Sequence, residues 1–185
     1  IIIDALGSHY DRAVDATRLP GPIGMSIMPH TPHAITTARL AKQQGKEVLL
    51  HLPMQSVRYH KPAPGELGLH MSQRQFSSAV RHSLDAVPGV IGVNNHMGSL
   101  LTMHPGHMNW LMQTLKEREG LFFIDSRTTE KSVALRTAKE HGIASVERDV
   151  FLDPDFRQET IEREFDRFIK VIKQQGHGLA IAHPH

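Results

Sequence analysis

Cysteine is absent from the 185 residues. That excludes a disulfide framework and any thiolate site, and it leaves the compartment open. No apolar run approaches the roughly 18 residues that a membrane-spanning helix needs. No leader pattern is visible either. The chain opens inside a strand-like run, Ile1-Ile2-Ile3, and stops at His185. It reads as a trimmed core, so its ends carry no argument about localisation. A basic stripe is also missing. The 21 Lys and Arg residues stand against 19 Asp and Glu, scattered among them, for a formal charge of +2. Nucleic acid and anionic membrane are therefore not implied as partners. Neither a G-x-G-x-x-G fingerprint nor a P-loop lysine motif occurs, which weakens a nucleotide-binding reading. There is no internal repeat of fixed period and no low-complexity segment.

What is present suits one domain, residues 1–185, long enough for a sizeable core. Short apolar runs alternate with helical patterns. Strand-like runs are Ile1-Ile2-Ile3, residues 23–28, 47–52, 90–93, 121–124, 143–146 and 178–182. Between them lie helical stretches with caps and stops. Thr31-Pro32 has the form of an N-cap with proline at the first position. Ser72 with Gln75 has the form of a capping box. A helix follows Pro105, another is capped by Thr128 or Thr129, and Asp153-Pro154 is expected to start the longest one. Residues 53–71 form the longest irregular stretch, which marks a functional or mobile loop. Strand alternating with helix implies a parallel sheet with covering helices. About seven strands suit a distorted, incomplete (β/α) barrel. An open doubly wound sheet is the rival. Both place ligands at the carboxyl ends of their strands.

Several apolar runs hand over to a polar residue at those ends. Ile1-Ile2-Ile3 leads to Asp4, Val48-Leu49-Leu50 to His51, and Val90-Ile91-Gly92-Val93 to Asn94-Asn95-His96. Phe122-Phe123-Ile124 leads to Asp125, and Leu179-Ala180-Ile181-Ala182 to His183. Asp4, His51 and His96 suit a divalent ion such as zinc, with positions left for water and substrate. The bland alternative is a hydrogen-bonded polar rim. Asp125 and His183 could orient or move protons, His183 as general acid. Asp125 could equally pair with Arg127 or Arg148, or cap a turn. Asn94 and Asn95 could bind a polar substrate or hold a turn. Arg148 could reach the site or pair with Asp149. The other histidines read as solvated or loop residues, with His104 and His107 at a weakly metal-like spacing.

Six segments carry a resemblance. They are Ile1-Ile2-Ile3-Asp4-Ala5-Leu6-Gly7, His51-Leu52-Pro53-Met54 and Gly92-Val93-Asn94-Asn95-His96-Met97-Gly98-Ser99, then Phe123-Ile124-Asp125-Ser126-Arg127-Thr128, Arg148-Asp149-Val150-Phe151-Leu152-Asp153 and Ala182-His183-Pro184. Together they resemble the divergent polysaccharide deacetylase family, distant relatives of the NodB-type carbohydrate esterases. The resemblance implies a distorted barrel, a divalent metal and removal of N-acetyl groups from a sugar polymer in the periplasm or cell envelope. NodB-type enzymes carry an Asp-Asp pair after the first strand. The first, which serves as base, matches Asp4, while Ala5 stands in place of the second, which helps bind the metal beside two His. Three outcomes follow. Either Asp4 serves the metal, or the ion is weakly held, or the barrel is a catalytically inactive module that binds glycan or protein. A metal-dependent phosphoesterase is a further possibility, kept open by Arg127 and Arg148.

Overall fold

The strands are built from β-branched and aliphatic residues that a two-sided buried sheet demands. The computed structural model describes residues 1–184. His185, read from the sequence as no more than a chain end, lies outside the described residues. The strands are β1 (Ile2–Leu6), β2 (Gly24–Ile27), β3 (Val48–Met54), β4 (Gly92–Met97), β5 (Phe122–Asp125), β6 (Ser145–Glu147), β7 (Val150–Phe151) and β8 (Ala180–Ala182). The helices are α1 (Tyr10–Arg18), α2 (Ala34–Gln43), α3 (Gln73–Ala86), α4 (Pro105–Leu115), α5 (Ala134–Glu140) and α6 (Gln158–Gln175).

All pairings are parallel. The eight strands lie in the order β6-β5-β4-β3-β2-β1-β8-β7. Each crossover from β1 to β6 moves one strand in the same direction, so the order never reverses about a switch point. That rules out the doubly wound rival. One more pairing, β6 with β7, would close a ring. Among the described residues it is not made, so the sheet curls into an incomplete barrel. The strand beyond the expected seven is β7, only two residues long.

Some boundaries differ from the sequence expectation. The Thr31 hydroxyl donates to the Met28 carbonyl at 2.9 Å instead of capping, and α2 starts at Ala34. Helix α6 starts at Gln158, after Asp155 has turned the chain by accepting from the Arg157 amide at 2.9 Å. Helix α5 starts at Ala134, not at Thr128 or Thr129. The capping box at Ser72 and Gln75 is present as expected.

Side chains alternate across the sheet, so each strand feeds two cores. The outer face of Ile3, Leu50, Leu52, Val93 and Phe123 packs under the helices with Phe76, Leu84, Met108 and Leu111. The inner face holds a smaller cluster of Ile2, Leu49, Ile124 and Ile181.

Candidate functional site

The inner face sets the site through its alternation. Two positions beyond Ile2 stands Asp4, and two beyond Leu49 stands His51. Two beyond Ile124 stands Ser126, and two beyond Ile181 stands His183. An apolar layer is thus capped by a polar layer at the carboxyl end of the barrel, as layered barrel interiors require. Asn94 joins this layer as the direct cross-strand partner of His51. Three residues that directly follow members of this layer or His96 have positive φ: Ala5 at 58°, Met97 at 53° and Arg127 at 48°. Such values are uncommon for residues with a Cβ and collect where a site over-determines the backbone.

Asn94 is fully buried and ties the layer together. Its Nδ2 donates to Asp4 Oδ1 at 2.8 Å and to Ser126 Oγ at 3.3 Å. A carboxylate only accepts, so this contact fixes which way the amide points. Asn94 Oδ1 then accepts from Ser26 Oγ at 2.6 Å and from His51 Nδ1 at 3.2 Å. With its proton on Nδ1, neutral His51 keeps a lone pair on Nε2. That nitrogen lies 3.0 Å from His96 Nδ1. Burial pushes the His51 imidazole down to about 3, and burial with His51 as neighbour does the same to His96. Burial pushes the Asp4 carboxyl up to about 6, against the opposing hydrogen bonds from Asn94 and Ser26. The 3.5 Å approach of Asp4 to His51 Nδ1 is therefore a contact between a carboxylate and a neutral ring, not an ion pair.

Opposite this pair stands His183. Its backbone amide donates to Asp153 Oδ2 at 2.7 Å, and its Nδ1 lies 3.3 Å from Asp153 Oδ1. Burial lowers its basicity, but the hydrogen bond and charge of Asp153, with Asp4 behind, outweigh burial and leave the value raised. Arg148 donates to the carbonyls of Ser126 at 2.8 Å and Arg127 at 3.0 Å, and its guanidinium lies 5.2 Å from the Phe151 ring centroid. Arg127 pairs with Glu147 at 2.7 Å. Neither arginine is thus set as a free phosphate clamp, and the phosphoesterase reading gains no support.

These groups face one cavity of about 490 Å³, lined by Asp4, His51, His96, Arg148, Phe151 and His183 among others. Three expected residues play other parts. Asp125 follows Phe123 at the outward parity, so it turns away from the cavity. Its Oδ1 accepts from the Arg127 amide at 2.9 Å and its Oδ2 from Ser132 Oγ at 2.6 Å, which makes it a turn residue. The carboxylate that orients His183 is Asp153, which sequence reading took for a helix start. Asn95 reaches the lining, but its amide is spent on Ser126 N at 2.9 Å and Met97 O at 2.7 Å. Asn94 lies beneath the cavity and touches Asp4 and His51 instead of open space. Ser26 and Ser126 were missed as well. Counting two from the inward apolar residue would have found Ser126 and rejected Asp125.

The loop at residues 53–71 does not roof the cavity. It is pinned to the sheet by Leu67, which is buried and exchanges backbone hydrogen bonds with Pro53 and Gln55 at 2.9 and 2.8 Å. His107 packs against Phe76 and Trp110, which accounts for its helical spacing without a metal.

The donor set bears on the metal expected from the sequence. His51 Nε2 and His96 Nδ1 are nitrogens of two neutral imidazoles, 3.0 Å apart; with the lone pair on His51 Nε2, His96 Nδ1 is the donor in this contact, and taking the other tautomer would free its lone pair for an ion as well. Asp4 and Asn94 hold the far side of His51, as outer partners do in histidine metal sites. Among the described residues, no three His, Asp or Glu side chains are gathered closely enough to hold an ion. The chemistry thus fits through a two-imidazole pair. Ala5 lines a neighbouring cavity with His9, Arg12 and Pro184, so its side chain is not part of this pair's surroundings.

Comparison with known proteins agrees with this architecture. A family model described as divergent polysaccharide deacetylase matches residues 1–185. An uncharacterized protein of Haemophilus influenzae is 40% identical over 184 residues, covering all of this chain and 65% of the relative. The uncharacterized protein YibQ of Escherichia coli is 35% identical over 185 residues, covering 58% of its length. The chain thus spans less than two thirds of either relative. The crystal structure of the uncharacterized protein ATU2773 from Agrobacterium tumefaciens superposes with a TM-score of 0.94 at 21% identity, over all of this chain and 76% of that one, and shows the same fold. With the whole chain covered by one family model, the protein belongs to the divergent polysaccharide deacetylase family.

Proposed function

We propose that the protein hydrolyses N-acetyl groups on a sugar polymer, with a divalent ion, zinc or one close to it, as cofactor. The observation that carries this reading is the buried His51–His96 pair facing a cavity that Asp4 and His183 also line. His51 through Nε2 and His96 through Nδ1 would hold the ion, with Asp4 the nearest carboxylate. Bound there, it would polarise the acetyl carbonyl and acidify a water. The remaining work falls to the chain. Asp4, ionised above about pH 6, takes the proton of the attacking water. The water oxygen bonds to the acetyl carbon, the carbon–nitrogen bond breaks, and acetate leaves. His183, oriented by Asp153, donates a proton to the departing amine. The proposal extends to a periplasmic or cell-envelope location, which fractionation of cells expressing the tagged full-length protein tests.

The test is acetate release from a panel of acetylated glycans, with and without added zinc, cobalt or manganese. Ion-dependent release is expected, falling by about 100-fold or more in His183→Ala. No release from any glycan under any ion overturns it. A second reading has one observation behind it, the lack of a gathered third ligand. In it the barrel is a non-catalytic glycan-binding module. Glycan binding without acetate release, unchanged in His183→Ala, would identify that case.

A further inference from the structure

The site cavity does not end at His96. Met97 and Thr128 line it, and the same two residues line an adjoining groove of about 650 Å³. The two therefore form one trough along the carboxyl edge of β4 and β5. The wall between them is fixed, because Thr128 Oγ1 donates to the Met97 carbonyl at 2.8 Å. Beyond it the groove is lined by Ser56, Arg58, Ser99, Thr129 and Lys131. This end is built by specific contacts. The Val57 amide donates to Ser99 Oγ at 3.0 Å, Ser56 Oγ donates to the Arg58 carbonyl at 2.7 Å, and the Lys131 amide donates to Thr129 Oγ1 at 3.3 Å. Three hydroxyls, those of Ser56, Ser99 and Thr129, line this end and suit sugar hydroxyls.

No Asp or Glu lines the groove, and among the described residues no ion pair engages Arg58 or Lys131. Glu130 neighbours Lys131 in sequence but is not part of the lining. Elsewhere in the described residues seven arginines are ion-paired, among them Arg81 with Glu117, Arg127 with Glu147 and Arg157 with Asp155. Two cations without an ion-pair partner in one groove, whose other lining is hydroxyls with Val57, Met97 and Met103, set up a field for an anion.

We infer that the polymer bound in this trough is anionic, with a carboxylate or phosphate of a neighbouring unit held between Arg58 and Lys131 while an acetylated unit lies at His96. This rests on the glycan reading above, but its test does not need turnover. The full chain is titrated with three oligomers: N-acetylglucosamine alone, N-acetylglucosamine alternating with glucuronate, and N-acetylglucosamine linked through phosphate. An anionic oligomer should bind about tenfold more tightly than the neutral one at low salt, with the preference lost at high salt. Whichever anionic oligomer binds more tightly tells carboxylate from phosphate. Arg58→Ala with Lys131→Ala should remove the preference, so that the anionic oligomers bind no more tightly than the neutral one. Arg58→Glu with Lys131→Glu should invert it. Both positions are exposed, and a circular dichroism melt checks the fold. Equal affinity for all three oligomers, no binding to any, or a preference that survives both double variants overturns the inference. Selective binding without acetate release would leave it standing and count only against catalysis.

Discussion

Asn94 is the residue on which the polar layer turns. It holds Asp4, His51, Ser26 and Ser126 from a fully buried position. Asn94→Ala strands those groups and should cost about 3 kcal/mol in urea unfolding. It also frees the His51 tautomer, so under the proposed function zinc affinity should fall by about 10–100-fold. Unchanged affinity would show that the amide does not set the ring. Asp4 gives a prediction of opposite sign. Its carboxyl is raised from 3.8 to about 6, so the folded protein holds a proton that the unfolded chain has released. The stability linked to it is fully present below 3.8 and is lost as pH rises through about 6. Asp4→Asn removes that loss. The variant should unfold at higher urea than the parent at pH 7.5, by about 1 kcal/mol, while releasing no acetate. Parallel pH profiles for the two would sink the assignment. For His183 the raised value means stability present below its ordinary 6.5 and lost as pH climbs through the folded value. Asp153→Asn should lower that value, read directly from the imidazole signals in an NMR titration.

At the scale of elements, the strand ends are legible and their facing is less so. Every apolar run marked in the sequence is a strand or its flank, because buried parallel strands need unbroken apolar residues. Asp125 shows where that reading fails. A run such as Phe122-Phe123-Ile124 is apolar on both faces, so it hides which parity points inward. The turn after β4 depends on Gly98, whose φ is +90° and whose added Cβ would meet Met54 Cβ at 3.1 Å and Thr102 Cγ2 at 3.2 Å. Gly98→Ala should destabilise by about 2 kcal/mol and displace Met97, the wall shared by cavity and groove. A melting temperature within a degree of the parent would refute this. The start of α6 was misplaced for a physical reason too. Asp153 has the chemistry of a helix cap, but His183, distant in sequence, claims its carboxylate first.

The whole molecule is a ring with one seam left open. Strands β6 and β7 flank that seam and are three and two residues long. Short edges with few ladder bonds open at low free energy. Amides of Ser145–Glu147 and Val150–Phe151 should therefore exchange with deuterium well before those of Val48–Met54, where both flanking strands are paired. Equal protection across the sheet would mean that the gap is bridged in solution. The same opening carries Arg148 and Phe151 to the cavity, since residues 147–150 pass from one edge of the sheet to the other.

By itself, the sequence determined the alternation of strand and helix, the absence of thiol chemistry and the polar character of the strand ends. These are local matters of hydrophobic runs, turn residues and composition. Asp4, His51, His96 and His183 were legible for that reason. The tertiary structure alone decided which polar ends meet. Alternation sent Asp125 outward and Ser126 inward, and the parallel pairing of β7 with β8 brought Asp153 beside His183. The order β3-β4-β5 in the sheet placed Arg58 and Lys131, 73 positions apart, along one trough. Such meetings depend on register and closure, which are properties of the folded sheet and of no single segment.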